Sequence, residues 1–202
     1  MVGTIGFAGS RARSRGRLGQ WVLRLGGPHT IAAALGGSAL GALVAFAGSV
    51  VVSGAFDAGP GVVAAALGAL ALADVAGLPP QYTTRARQVP LSWKHLLPAP
   101  TSSALYGLVL GLGVGTTVYF WSYPALVVAT FFSGNVFTGI AAGAAFGVGR
   151  ALPVLASPLT PDVERLEEAV DSIRHVVGRV RNLPLRVASA GATASLAAII
   201  LW

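Results

Sequence analysis

The sequence predicts an all-α protein: a polytopic transmembrane helix bundle of about five spans, one of them a broken helix. Three observations carry this expectation. Of 202 residues, 54% are hydrophobic and only 10% charged, whereas a soluble domain carries about 25% charged residues. Mean hydropathy is +0.71. Long charge-free stretches recur, and the basic residues border them. So few charges cannot cover a water-exposed surface, which argues against an ordinary soluble enzyme. A disordered chain would need the opposite balance.

Crossing a hydrocarbon core takes about 20 apolar residues. Residues 1–30, with Arg11, Arg13, Arg15, Arg17 and Arg24, read as a basic cytoplasmic tail. Residues 31–56 form the first charge-free run, about twice the length of a signal-peptide core, so it reads as a retained span. Residues 61–78, apolar except for Asp74, form the second span, closed by Pro79-Pro80. The polar loop 79–100 follows, with Arg85, Arg87 and Lys94. Residues 101–132 would make a straight helix about 48 Å long. That is too long for one upright crossing and too short for two, so a single broken crossing is expected, with Pro124 as the break point. Ser133-Gly134-Asn135 reads as a tight turn. Residues 136–156 and 185–202 are the fourth and fifth spans.

The charge distribution sets the orientation. The net charge is +7, from 14 basic and 7 acidic residues. With five crossings and the N-terminal side in the cytoplasm, every basic residue lies inside and the outer loops carry only Asp57, as the positive-inside rule asks. The location this implies is the plasma (inner) membrane, multi-pass, with the C-terminus outside. Basic residues bordering apolar spans orient a chain in lipid, and no nucleic-acid partner is expected.

Two patterns concern contacts. Glycines recur every four residues: Gly107, Gly111 and Gly115 in the third span, Gly139, Gly143 and Gly147 in the fourth, with Gly37 and Gly41 in the first. Small residues let helix backbones approach closely in lipid. Packing within the chain is the expected use, and homo-oligomerisation is the alternative. Between the fourth and fifth spans, Val163, Leu166, Val170, Ile173, Val177 and Val180 form one apolar stripe on a cytoplasmic amphipathic helix over 160–182. That helix would lie on the membrane surface or against the bundle, or dock a partner protein together with loop 79–100.

Chemistry is sparse. The chain has no cysteine, which excludes disulfides, thiol redox couples and iron–sulfur clusters. The 3 histidines lie far apart in sequence, and neither a metal site nor a cofactor is expected. Asp74 and Arg150 sit near span ends, as interfacial groups or as a candidate ion pair at the cytoplasmic side. The broken third span is the candidate site. Thr116, Thr117, Ser122, Tyr123 and Pro124, with Asn135 after it, form a polar cluster around freed backbone groups. They could hold a solute, as broken transporter helices do, or simply satisfy the backbone.

Gly111-Leu-Gly-Val-Gly115, the aromatic and hydroxyl stretch up to Pro124, Ser133-Gly134, and Gly143-Ala-Ala-Phe-Gly147-Val-Gly-Arg150-Ala-Leu-Pro153 together resemble the second half of the CcdA/DsbD-type cytochrome c biogenesis transmembrane family. The resemblance covers about residues 104–155. It implies a glycine-rich helix broken at a proline. That family carries electrons through membrane cysteines, one of them directly after this proline. Here Ala125 follows Pro124, so the resemblance implies the scaffold without the electron transfer. The expected role is a non-enzymatic accessory or assembly subunit. A small-solute transporter or exporter using the broken third span is the alternative.

Overall fold

A computed structural model of the chain describes residues 2–55, 60–78, 96–113, 121–159 and 186–193. Every regular element among the described residues is helical. They run as α1 (Val2–Ser14), α2 (Leu18–Trp21), a π-helical turn (Val22–Gly26), α3 (Gly27–Ala55), α4 (Pro60–Ala76), α5 (Ala99–Gly111), α6 (Ser122–Ser133), α7 (Val136–Ala156) and a 3-10 turn (Ser157–Leu159). Residues 186–193 are also helical. Two stretches, Leu18–Val51 and Val136–Leu159, are long and apolar enough to cross a membrane; Gly61–Ala76 and Ser122–Ser133 are apolar but shorter. The loop at 79–95, the amphipathic stretch 160–182, and residues 194–202 of the expected fifth span lie outside the described residues.

The chain divides into two compact units: Met1–Ser38, Ala86–Thr116 and Gly143–His175 form the first, and Ala39–Arg85, Thr117–Ala142 and Val176–Trp202 the second. In the first unit, α3 meets α5 and α7 through small residues. A Cβ placed on Gly107 would overlap the carbonyl oxygen of His29, and one on Gly111 that of Ala33. Gly147 likewise abuts the Ala33 carbonyl, and Gly143 and Gly37 abut each other. The register gives directions. Contacts 29 with 107 and 33 with 111 make α5 parallel to α3, while 33 with 147 and 37 with 143 make α7 antiparallel to it. The repeat glycines are therefore occupied inside one chain. Gly115 lies outside the described residues.

Residues 2–30, read from the sequence as part of a basic tail, are helical and packed. Gly16 takes a left-handed φ of +66° and turns α1 back onto α2. Trp21 is 4% exposed and forms a core with Ile5 and Val154. Its indole N–H donates to the Ile5 carbonyl at 3.2 Å. Ser10 donates to the Ser157 carbonyl at 3.0 Å, and the Arg13 guanidinium to the Pro158 carbonyl at 2.9 Å. These bonds seat α1 on the C-terminal end of α7, where a cation also complements the helix dipole.

The apolar helix starts at Leu18, upstream of the expected Ile31, and passes through Pro28 without ending. Pro28 offers no N–H to the Arg24 carbonyl and its ring crowds that carbonyl. The π-helical turn just before it absorbs the mismatch, with Gly27 N–H reaching back to the Val22 carbonyl. Nearby carbonyls receive side-chain donors: Thr30 donates to Gly26 at 2.8 Å and Ser103 to Leu25 at 2.8 Å.

In the second unit, Val63 and Leu67 of α4 pack on Ala125 and Ala129 of α6, one helical turn apart on each side, with Leu70, Val128 and Phe132 around them. Gly139 abuts Gly41, and Gly48 abuts the Phe131 carbonyl. Gly134, with φ +57°, closes α6 as a left-handed cap, and Asn135 starts α7.

Within 101–132 the helix is interrupted, but Pro124 is not where it breaks. α5 ends at Gly111, and Gly113 takes a φ of +69°, which only glycine adopts easily. Pro124 sits in the first turn of α6, where its missing N–H removes no intrahelical bond.

The glycine contacts set an expected outcome. Gly111→Ala forces Cβ against the Ala33 carbonyl and should destabilise by about 1–3 kcal/mol. Gly149→Ala meets open space and should be neutral or stabilising by up to about 1 kcal/mol through helix propensity. Thermal unfolding of both variants in detergent checks this, and equal midpoints would refute the close-contact argument.

Candidate functional site

Asp74, Trp121, Arg186 and Ser189 of the second unit converge where α4 ends and α6 begins. Gly77, at φ +73°, terminates α4, with its N–H bonded to the Asp74 carbonyl at 3.1 Å and Leu78 N–H to Ala73 at 3.0 Å. A left-handed glycine with these back-bonds satisfies carbonyls that a helix end leaves open. The guanidinium of Arg186, at the start of the helical residues 186–193, lies directly over Gly77, where any side chain would overlap it. A cation there faces the negative end of the helix dipole.

Asp74, on the last turn of α4, is 4% exposed. One carboxylate oxygen accepts the Trp121 backbone N–H at 2.9 Å, and the other accepts the Ser189 hydroxyl at 2.6 Å. Trp121 immediately precedes α6, so Asp74 reaches across from another helix to do what an N-cap side chain does: satisfy an orphan N–H and place negative charge at a helix start. The Trp121 indole N–H donates to the Leu78 carbonyl at 2.9 Å. Thr193 continues the chain of bonds, donating to Ser189 at 3.0 Å. A carboxylate buried this deeply needs such donors to remain tolerable.

The sequence candidates are distributed as follows. Thr116 and Thr117 lie outside the described residues. Ser122, Tyr123 and Pro124 form the first turn of α6, next to Trp121. Asn135 is exposed and caps α7, accepting from Phe137 N–H at 2.9 Å and Thr138 N–H at 3.2 Å. Asp74 and Arg150 belong to different units. The described partners of Asp74 are Trp121 and Ser189, and the Arg150 guanidinium lies 5.3 Å from the Phe146 ring centroid, one turn back on α7.

Sequence reading did not single out Trp121, Ser189 or Arg186. Trp121 meets Asp74 through its backbone N–H, which carries no residue-type signal, while its indole reaches Leu78. It also did not single out His29 as a buried polar group of the first unit. His29 is 3% exposed, and its Nδ1–H donates to the Ser103 carbonyl at 3.1 Å. A carbonyl only accepts, so Nδ1 carries a proton in this contact. Nε2 finds no hydrogen-bond partner among the described residues. Among those residues no group of three His, Cys, Asp or Glu could hold a metal ion.

No family model matches the chain, and neither a curated protein nor a solved structure matches it.

The role of Asp74 has a direct check. Asp74→Ala removes the acceptor of the Trp121 N–H and of the Ser189 hydroxyl and should cost about 1–3 kcal/mol. Asp74→Asn keeps an acceptor and should cost less. Urea or thermal unfolding of the two variants side by side measures the difference; an Ala variant no worse than the Asn variant would exclude the capping role.

Proposed function

We propose that the chain is a five-crossing protein of the plasma (inner) membrane, N-terminus cytoplasmic and C-terminus outside, acting as a non-enzymatic accessory or assembly subunit on a CcdA-like scaffold that lacks redox cysteines. Its protein partner meets it through 79–100 and 160–182.

Membrane insertion is supported by how α3 distributes its side chains. Ile31, Leu35, Leu43, Phe46 and Val50 are each at least 58% exposed, while Ala33 and Ala45 are fully buried. Only 28% of the apolar window in Leu18–Val51 is buried. A core helix of a soluble protein would bury its large apolar residues; a lipid-facing helix buries the small ones. Direction supports the count of crossings. α7 runs antiparallel to α3, so if α4 crosses back, 101–132 contributes an odd number of crossings, and its length allows one.

The observation that carries the accessory-subunit reading is that the polar groups described at the broken span serve the chain itself. Asp74 caps α6 and Asn135 caps α7. One observation favours a second reading, a small-solute transporter: Asp74 is a buried ionisable group beside a broken span, where transporters bind ions and solutes.

Two experiments test these readings. Single cysteines at Ser92 and Ser172, introduced into the cysteine-free chain, should resist a membrane-impermeant thiol reagent in intact cells and react once the membrane is opened; labelling in intact cells would overturn the topology. The double variant Thr116→Val with Thr117→Val separates the functions. Backbone-satisfying hydroxyls predict a loss of about 0.6–2 kcal/mol per hydrogen bond, with partner capture retained at temperatures where the variant is folded. Unchanged melting with abolished solute flux in vesicles would instead establish the transporter.

A further inference from the structure

The geometry points to a binding site for the headgroup of an anionic phospholipid, in a cradle of the first unit formed by α1, α2 and the π-helical turn. An open cavity of about 230 Å³ is lined there by Arg11, Arg15, Arg17 and Arg24, with Gln20 and Trp21 beside them. Four arginines around one open hollow concentrate positive charge there, which favours an anion. Asp74 is the only acidic residue among the described residues, and it belongs to the other unit. Arg13, on the same helix, serves a different purpose: its guanidinium donates to the Pro158 carbonyl. The arginine-rich stretch thus divides between one residue that fastens α1 and four that surround a hollow. Trp21 is a wall of the cradle and not a donor to it, because its indole N–H is taken by Ile5.

The ligand chemistry follows from what adjoins the cradle. Guanidinium groups suit phosphate oxygens, which they can hold through paired hydrogen bonds. A free phosphate would account for the arginines alone. Four of the lining residues, Gln20, Trp21, Arg24 and Leu25, however, belong to the start of the apolar helix Leu18–Val51. Its first turns leave Leu18, Val22, Leu23 and Ile31 between 39% and 78% exposed. A headgroup in the cradle would leave its acyl chains to lie along these side chains, so one amphipathic molecule covers both surfaces. Basic pockets at the ends of transmembrane helices recognise anionic headgroups in this way. The inference rests on the reading of Leu18–Val51 as a membrane span.

The test uses the full chain purified in mild detergent, with lipid retention counted by native mass spectrometry and thermal stabilisation followed on titration. The probes are phosphatidylglycerol, phosphatidylcholine and sodium phosphate. Phosphatidylglycerol should be retained and stabilise the protein, and phosphatidylcholine should not. About fivefold in apparent affinity is expected per arginine, from about 1 kcal/mol for each cation near an anionic surface. Arg24→Gln should therefore weaken phosphatidylglycerol binding about fivefold, and Arg11→Gln with Arg15→Gln about thirtyfold. Arg13→Gln should lower the melting temperature while leaving the lipid affinity within about twofold of the parent protein. Equal retention of phosphatidylcholine, or unchanged affinity in both cradle variants, overturns the proposal. Equal stabilisation by sodium phosphate assigns the cradle to a free anion and overturns the lipid assignment. Tighter lipid binding by Glu164→Gln with Glu167→Gln assigns it to the chain's own acidic stretch. Release of the chain from membranes by alkaline carbonate would overturn the span reading and the proposal together, whereas retention in carbonate without a preference for phosphatidylglycerol overturns the cradle alone.

Discussion

Contact between helix backbones, made possible by side chains no larger than a methyl group, is the constraint on which the rest of this structure depends. Ala33 is the clearest case. Its carbonyl is approached by Gly111 from α5 and by Gly147 from α7, and the residue itself has no exposed surface. In the bilayer proposed for this chain, lipid would give two helices no hydrophobic reason to associate, because acyl chains are as apolar as leucine. What remains is van der Waals contact over a close approach, with weak Cα–H to carbonyl contributions. The large residues are then displaced to the outside, and Leu35 and Phe46 are exposed at 61% and 60%. The arrangement inverts the inside and outside of a water-soluble helix bundle.

Close backbones leave little room for polar side chains, so the polar groups gather where helices are interrupted. Pro28 forces one such place and the end of α5 another. Each is met by donors or acceptors from a neighbouring segment. Ser103 reaches the Leu25 carbonyl beside the π-helical turn, and Asp74 reaches the Trp121 N–H at the start of α6. The two cases differ in charge. A neutral hydroxyl suffices for a carbonyl, whereas a helix start also rewards a carboxylate through its dipole. The same logic places Arg186 at the end of α4.

Local signals were legible in the sequence and distant ones were not. Ser133-Gly134-Asn135 announces a turn because a left-handed glycine and a capping asparagine act within a few residues of themselves, and α7 begins at Val136 as that turn requires. The four-residue glycine spacing identifies a helix face, but spacing alone does not name the facing helix. Residues 1–30 read as a tail because their arginines mask a short apolar stripe at Ile5, Ala8 and Ala12, whose partners Trp21 and Val154 are separated from it by 9 to 149 positions. Pro124 was the conspicuous helix breaker, yet a proline is equally at home in a first turn, and Gly113 takes the left-handed φ that follows the end of α5. Asp74 drew notice as an ionisable group, but one of its partners is a backbone N–H, which every residue except proline carries, and the other, Ser189, lies 115 positions away.

The seat of α1 has a consequence in time. Ser10 and Arg13 bond to carbonyls of Ser157 and Pro158, which lie 147 and 145 positions further along the chain. During synthesis, at about 5–20 residues per second, α1 leaves the ribosome many seconds before its seat exists. A segment made early thus completes its fastening late, and a chain arrested before residue 157 would hold α1 through Trp21, without the seat for Ser10 and Arg13. Docking of this helix on that seat therefore reports that α7 has been completed.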